Sequence, residues 1–195
     1  MHVVWFTAMS MDGRIATAGD SLDFLDLMGS PEASDDTEQV APGGDDSSDF
    51  EAMVKSVDAI IVGASTLRWL LRGGHGWPHG DLPTWLITHD EGLVAAAGAT
   101  DKPLRAVSGS LETAFEEIEA AGHQRVWLAG GGSVAGQALA IDRVDEVIVT
   151  VAPTAVGAGP ALFDAPDLPL RRFRLAECRP LPGDAALLRW VRERS

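Results

Sequence analysis

The chain has one cysteine, Cys178, among 195 residues. No intramolecular disulfide can form, which fits a reducing, cytoplasmic setting. Basic charge is also scarce. Lys and Arg number 15 against 29 Asp and Glu, a formal net charge of −14. A surface of that sign repels nucleic acid and anionic membrane, so neither is an expected partner. No run approaches the roughly 18 apolar residues of a membrane-spanning helix. The opening MHVVWFTAM has neither the basic segment nor the cleavage signal expected of a secretory leader. The motifs HExxH, CxxC and GxSxG are missing, which leaves a metalloprotease or a serine hydrolase without support. His75 and His79 stand four apart, but GGHGWPHG cannot be helical, so no metal site is expected there.

What is present is an ordinary globular composition, 46% apolar and 23% charged, over a length that fits one domain spanning 1–195. The chain is organised around 125–163. A short apolar run at 125–129 reads as a buried strand, and Gly130, Gly131 and Gly132 follow it. Ser133 then opens an apolar segment of helical spacing at 134–141, and a second strand follows at 144–151. Strand, glycine turn and helix in that order present backbone N–H groups and a helix N-terminus to an anion, most often phosphate. Gly130, Gly132 and Ala135 fit G-x-G-x-x-G/A, yet the turn lies late in the chain and no acid ends the next strand. It is therefore a nucleotide-phosphate turn, not a Rossmann one.

Elsewhere, strands are expected at 2–8, 59–62, 84–88 and 104–108, and helices at 49–57, 63–71 and 111–121, the last capped by Ser110. Residues 22–28 could make one or two helical turns. Residues 29–49 hold seven acids and no base, and read as a mobile acidic surface loop. Residues 90–102 read as irregular. A C-terminal hairpin is expected over 170–182 and 185–192, with LPGDA as its turn. The fold class is α/β, a mainly parallel sheet ending in an antiparallel hairpin. Gly63, Thr88, Ser108 and Gly130 each follow a strand, and four such ends on one edge would form one cleft.

Several stretches together resemble the dihydrofolate reductase-like superfamily, and within it the branch of the riboflavin biosynthesis reductase C-terminal domain. They are TAMSMDGRIA (7–16), SLDFL (21–25), VDAIIVGASTL (57–67), VWLAGGGSVAGQAL (126–139) and VDEVIVTVAPTAVGAGPALF (144–163). The resemblance implies an NADPH-dependent reductase of a small pterin- or pyrimidine-like heterocycle, acting by hydride transfer. It implies that Ala8 lies beside the nicotinamide, and that Thr66, after Gly63, lies near the ribose and diphosphate. Thr88 and Ser108 would lie near the adenosine half, and Gly130, Gly131, Gly132, Ser133 and Val134 would carry the diphosphate. Asp12 is a candidate for proton delivery, with a turn-forming role beside Gly13 as the alternative. Arg68 and Arg72 are candidate cations for a 2′-phosphate. Relatives pair through sheet edges, so a homodimer is expected. Ala129 stands where those reductases carry a Glu, Leu70 where they carry an Asp, and their NPxLxxR-like segment is missing. Two alternatives follow: reduction of 5-amino-6-(5-phosphoribosylamino)uracil in riboflavin synthesis, or dinucleotide binding without turnover.

Overall fold

The computed structural model describes residues 1–28, 47–73, 80–98 and 103–194. The strands are β1 (His2–Ser10), β2 (Ala59–Gly63), β3 (Thr84–Ile87), β4 (Leu104–Val107), β5 (Arg125–Gly130), β6 (Glu146–Ala152), β7 (Phe173–Pro180) and β8 (Ala186–Arg192). They form one sheet in the order β4-β3-β2-β5-β1-β6-β8-β7. From β4 to β6 every neighbouring pair is parallel. The hairpin of β8 and β7 then closes the sheet in antiparallel fashion, as expected. The helices are α1 (Ser47–Ser56), α2 (Ala64–Gly73), α3 (Glu91–Gly98), α4 (Leu111–Ala120) and α5 (Gly132–Ala140), with a 3-10 helix at Asp23–Met28.

The parallel strands are short apolar runs because both their faces are covered. Side chains alternate between faces along each strand. Val3, Trp5, Ile61, Leu128, Val147 and Val149 pack under α4 and α5, against Phe115, Ile118, Val134 and Ala138. On the other face, Phe6, Ile60 and Trp127 meet Phe50 and Met53 of α1. Val62 and Leu86 meet Leu67 of α2 and Leu93 of α3. The α4 pattern holds as expected: Leu111, Ala114, Phe115 and Ile118 are buried, and the Ser110 side chain accepts the Thr113 N–H. Burying a residue such as Phe115 is worth about 1.5–3 kcal/mol, so that one stripe fixes the helix on the sheet.

The expectation of irregular chain at 90–102 is corrected by α3 at Glu91–Gly98. Asp90 caps it, Oδ1 accepting the N–H groups of Gly92 at 2.9 Å and Leu93 at 3.2 Å. Leu93, buried against Val62 and Leu86, anchors the helix. Gly92 and Gly98 obscure this helix in the sequence, since glycine is a poor helix former. Element bounds also shift by a few residues; α5, for example, starts at Gly132 rather than 134, and β6 at Glu146 rather than 144. Of the acidic stretch 29–49, only the last three residues are described, and they open α1. His75 and His79 lie outside the described residues. Among the described residues, no helix is long and apolar enough to cross a membrane.

Candidate functional site

Because β4, β3, β2, β5, β1 and β6 are parallel neighbours, their carboxyl ends share one edge of the sheet. Ser108, Thr88, Gly63, Gly130 and Ser10 stand there in spatial order. The sheet carries a register shift between Ile61 and Val62, where Val62 pairs with Gly130. Close packing at this edge depends on missing side chains. A Cβ on Gly130 would lie 2.5 Å from Thr66 Oγ1, and one on Gly63 would lie 2.9 Å from Val134 Cγ2. The N-termini of α2 and α5 are thereby drawn together over the ends of β2 and β5.

The glycine turn divides its duties. Gly131 has φ +88° and ψ 108°, precedes α5, and provides no side-chain cap. A helix start leaves its first N–H groups without intrahelical acceptors. Ser110 and Asp90 supply such an acceptor to α4 and α3, but α5 has none from a side chain. A Cβ on Gly131 would have only Ser65 Oγ and Val134 Cγ2 near it, both at 3.8 Å. Gly132 faces protein instead: a Cβ there would lie 2.1 Å from the Ala161 carbonyl oxygen. Ser133 is exposed, and its Oγ accepts from Gln137 Nε2 at 3.2 Å. Thr88 is 5% exposed, with Oγ1 accepting the Asp90 N–H at 3.0 Å, whereas Ser108 is exposed. Ala8 is half-buried against Phe24 and Leu25.

Asp12 is exposed yet fully engaged. Its Oδ1 accepts from Ser10 Oγ at 2.5 Å and from the Val156 N–H at 3.0 Å, and its Oδ2 from the Gly157 N–H at 2.7 Å. The Ser10 hydrogen bond first, and then the two backbone N–H groups, lower its carboxyl to about 2. Such a group has no proton to give at neutral pH. The geometry makes Asp12 a latch between the loops after β1 and β6. The latch has neighbours. Met11 N–H donates to Thr154 O at 2.8 Å, Ile15 N–H to Pro160 O at 3.0 Å, and Leu162 N–H to Gly13 O at 3.1 Å.

A groove of about 220 Å³ runs between α1 and the sheet face of β1, β6 and β8. Phe6, Ile148, Leu187 and Met53 form its apolar surfaces. Phe6 pairs in register with Ile148, and Ala8 with Thr150, which pairs with Leu187. Phe6 and Ala8 share a face of β1, and Leu187, in the cross-strand row of Ala8, lines the groove. Its far end holds Glu146, 1% exposed, bound by His2 Nε2 at 2.9 Å, Arg125 Nη2 at 2.9 Å and Arg189 Nε. Burial alone would raise the Glu146 carboxyl; the His2 and Arg189 hydrogen bonds and the charges of Arg189 and Arg125 outweigh it and lower it to about 2. No local pattern signals this cluster, since its members come from β1, β5, β6 and β8. Phe50 and Met53 had a signal, the helical spacing at 49–57.

The two arginines expected near a 2′-phosphate are both paired: Arg68 Nη2 with Asp90 Oδ2 at 2.6 Å, and Arg72 Nη2 with Asp20 Oδ2 at 3.5 Å.

Comparison with known proteins agrees with this architecture. An uncharacterized protein of Bacillus subtilis, YwjB, is 26% identical over 160 residues, covering 82% of this chain and 81% of its own. A putative riboflavin biosynthesis protein from Shewanella superposes with a TM-score of 0.77 at 22% identity, covering 100% of both chains. A pyrimidine reductase-like protein from Corynebacterium diphtheriae superposes at 0.67 with 18% identity, over 100% of this chain and 92% of that one. The sheet order, the glycine turn and a match of residues 1–187 to the RibD C-terminal domain model together assign the chain to that family, with its dihydrofolate reductase-type fold.

Proposed function

We propose that the chain is an NADPH-dependent reductase that passes hydride to a small, flat pterin- or pyrimidine-like heterocycle. The observation that carries this is the α5 N-terminus, uncapped by any side chain, at the Gly131 turn on the carboxyl edge of the parallel strands. In this reading, the N–H groups of Gly132, Ser133 and Val134 bind the diphosphate, with Gly130 and Thr66 packed beside it. Gly63 lets α5 approach, Thr88 and Ser108 border the adenosine half, and Ala8 borders the nicotinamide. When bound, the reduced nicotinamide supplies hydride. The chain's own contribution is placement, because hydride passes only between carbons held in near contact. Phe6, Ile148, Leu187 and Met53 give a flat ring an apolar seat next to Ala8 and exclude water from it. Asp12 holds the two loops beside that seat, and the proton comes from solvent.

The test is a fluorescence titration with NADPH, followed by turnover assays on pterins and pyrimidines read by loss of reduced nicotinamide. Binding with turnover is expected. Binding without turnover on any of them would favour a dinucleotide-binding protein, a reading supported by Ala129, an apolar residue directly before the glycine turn. No NADPH binding would overturn both.

A further inference from the structure

The α1 groove is unevenly charged. On its floor two guanidiniums, Arg125 and Arg189, share one buried carboxylate, Glu146. On its β7 side two carboxylates, Asp49 and Glu177, share one guanidinium, Arg179. Arg125, Arg189, Asp49 and Glu177 all line the groove. The floor therefore holds an excess of positive charge, on a chain whose net charge is −14.

Arg189 is anchored and only partly used. Its Nε donates to Glu146 Oε1, while Nη1 and Nη2 have no hydrogen-bond partner among the described residues. Arg125 donates from Nε to Ser56 Oγ at 3.3 Å and from Nη2 to Glu146 Oε2 at 2.9 Å, which leaves Nη1. Glu146 is itself fixed by burial and by His2, so the Arg189 guanidinium hangs from a rigid point. A group ordered before the ligand arrives loses less freedom on binding. Its planar fork matches a planar carboxylate through two parallel N–H bonds.

The register fixes what that fork can reach. Phe6, Ile148 and Arg189 form one cross-strand row, and Ala8, Thr150 and Leu187 form the next. Two such rows lie about 7 Å apart. A ring seated on Phe6, Ile148 and Leu187, the reading proposed above on which this inference rests, has Arg189 at its own edge. The groove holds about 220 Å³. That is short of the roughly 300–1,000 Å³ of sites for larger ligands, so it suits a ring with a short substituent better than a ring carrying a sugar phosphate.

We propose that the substrate is a flat heterocycle bearing a carboxylate on the ring, and that Arg189, with Arg125 beside it, receives that carboxylate. Glu146 anchors the two arginines and does not touch the ligand. A neutral ring leaves the fork to water and binds more weakly.

The experiment titrates the parent and Arg189→Lys by calorimetry with two matched pairs, uracil with orotate and pterin with pterin-6-carboxylate. Uridine 5′-phosphate serves as the sugar-phosphate probe, NADPH is titrated separately, and circular dichroism is the fold check. Lysine keeps a charge opposite Glu146 but lacks the fork. The parent should bind each carboxylate at least about tenfold tighter than its neutral ring, the gain expected from a charge-assisted hydrogen bond. Arg189→Lys should erase most of that difference and leave the neutral rings and NADPH unchanged. Should Arg189→Lys fail to fold, Arg125→Lys is measured on the same pairs and should narrow the difference. The proposal is overturned if the parent binds the members of each pair equally, if the substitution weakens both members alike, or if uridine 5′-phosphate binds tighter than orotate; none of these touches the cofactor assignment. A parent that prefers the carboxylates but does not bind NADPH would instead overturn the reductase reading, and the substrate assignment with it.

Discussion

Gly131 and Gly132 are adjacent, but alanine should do different things at each. At Gly132 the new Cβ would lie 2.1 Å from Ala161 O and 3.3 Å from Asp164 Cβ. Carbon needs roughly 3.5 Å from such a neighbour, so the carbonyl must retreat by more than about 1 Å. It cannot do so alone. The same segment is held by Asp164 N–H to Gly132 O at 2.9 Å, Leu162 N–H to Gly13 O at 3.1 Å and Ile15 N–H to Pro160 O at 3.0 Å. Overpacking costs about 1–3 kcal/mol, and weakening one or two of those hydrogen bonds adds about 1 kcal/mol each, so Gly132→Ala should lose about 2–5 kcal/mol. At Gly131 no atom beyond its chain neighbours lies closer than 3.8 Å, so the cost is the left-handed φ of +88°. That is about 1–2 kcal/mol for a residue with a Cβ. The Gly131→Ala chain should therefore fold. Its methyl group would stand beside the first N–H groups of α5 and weaken NADPH at least about tenfold, the equivalent of one lost charge-assisted hydrogen bond. Urea unfolding and cofactor titration on both variants separate the effects. The reasoning is refuted if Gly132→Ala is as stable as the parent, or if Gly131→Ala binds NADPH equally well.

Two further predictions concern carboxylates. The Glu146 pKa falls from 4.5 to about 2 on folding, so its contribution is present above pH 4.5 and is lost as pH drops through 2. The shift corresponds to roughly 3 kcal/mol. Glu146→Gln should flatten the acid limb of the stability curve, and should destabilise the chain near neutrality by about 3 kcal/mol because Arg125 and Arg189 lose their buried partner; an unchanged acid limb in chemical unfolding would sink this account. Asp12→Asn should lower kcat more than it weakens cofactor binding, since it loosens the latch and not the phosphate turn. The pH–rate profile between about pH 5 and 8 should keep its shape, because a carboxyl at about 2 does not titrate there; disappearance of one limb in the variant would mean that Asp12 is a proton donor after all.

Much of this architecture was legible in the sequence because it is local. Period-two and helical spacing, the Ser110 cap and the glycines after β5 each act within a few residues, so element type and order follow from short windows. The glycine turn belongs to that class, since a strand, three glycines and a helix start can be recognised without knowing what lies across the cleft. The α3 helix was hidden because its support is tertiary: Leu93 is buried by Val62 and Leu86, and Asp90 is braced by Arg68. The role of Asp12 was ambiguous for the same reason, as two of its three hydrogen-bond donors are backbone N–H groups at Val156 and Gly157. The Glu146 cluster and the α1 groove exist only once β1, β5, β6 and β8 lie side by side. Local preferences decide which segments become strands and helices, whereas charge pairing, cavity shape and pKa depend on distances between residues far apart in sequence, and only the folded sheet sets those distances.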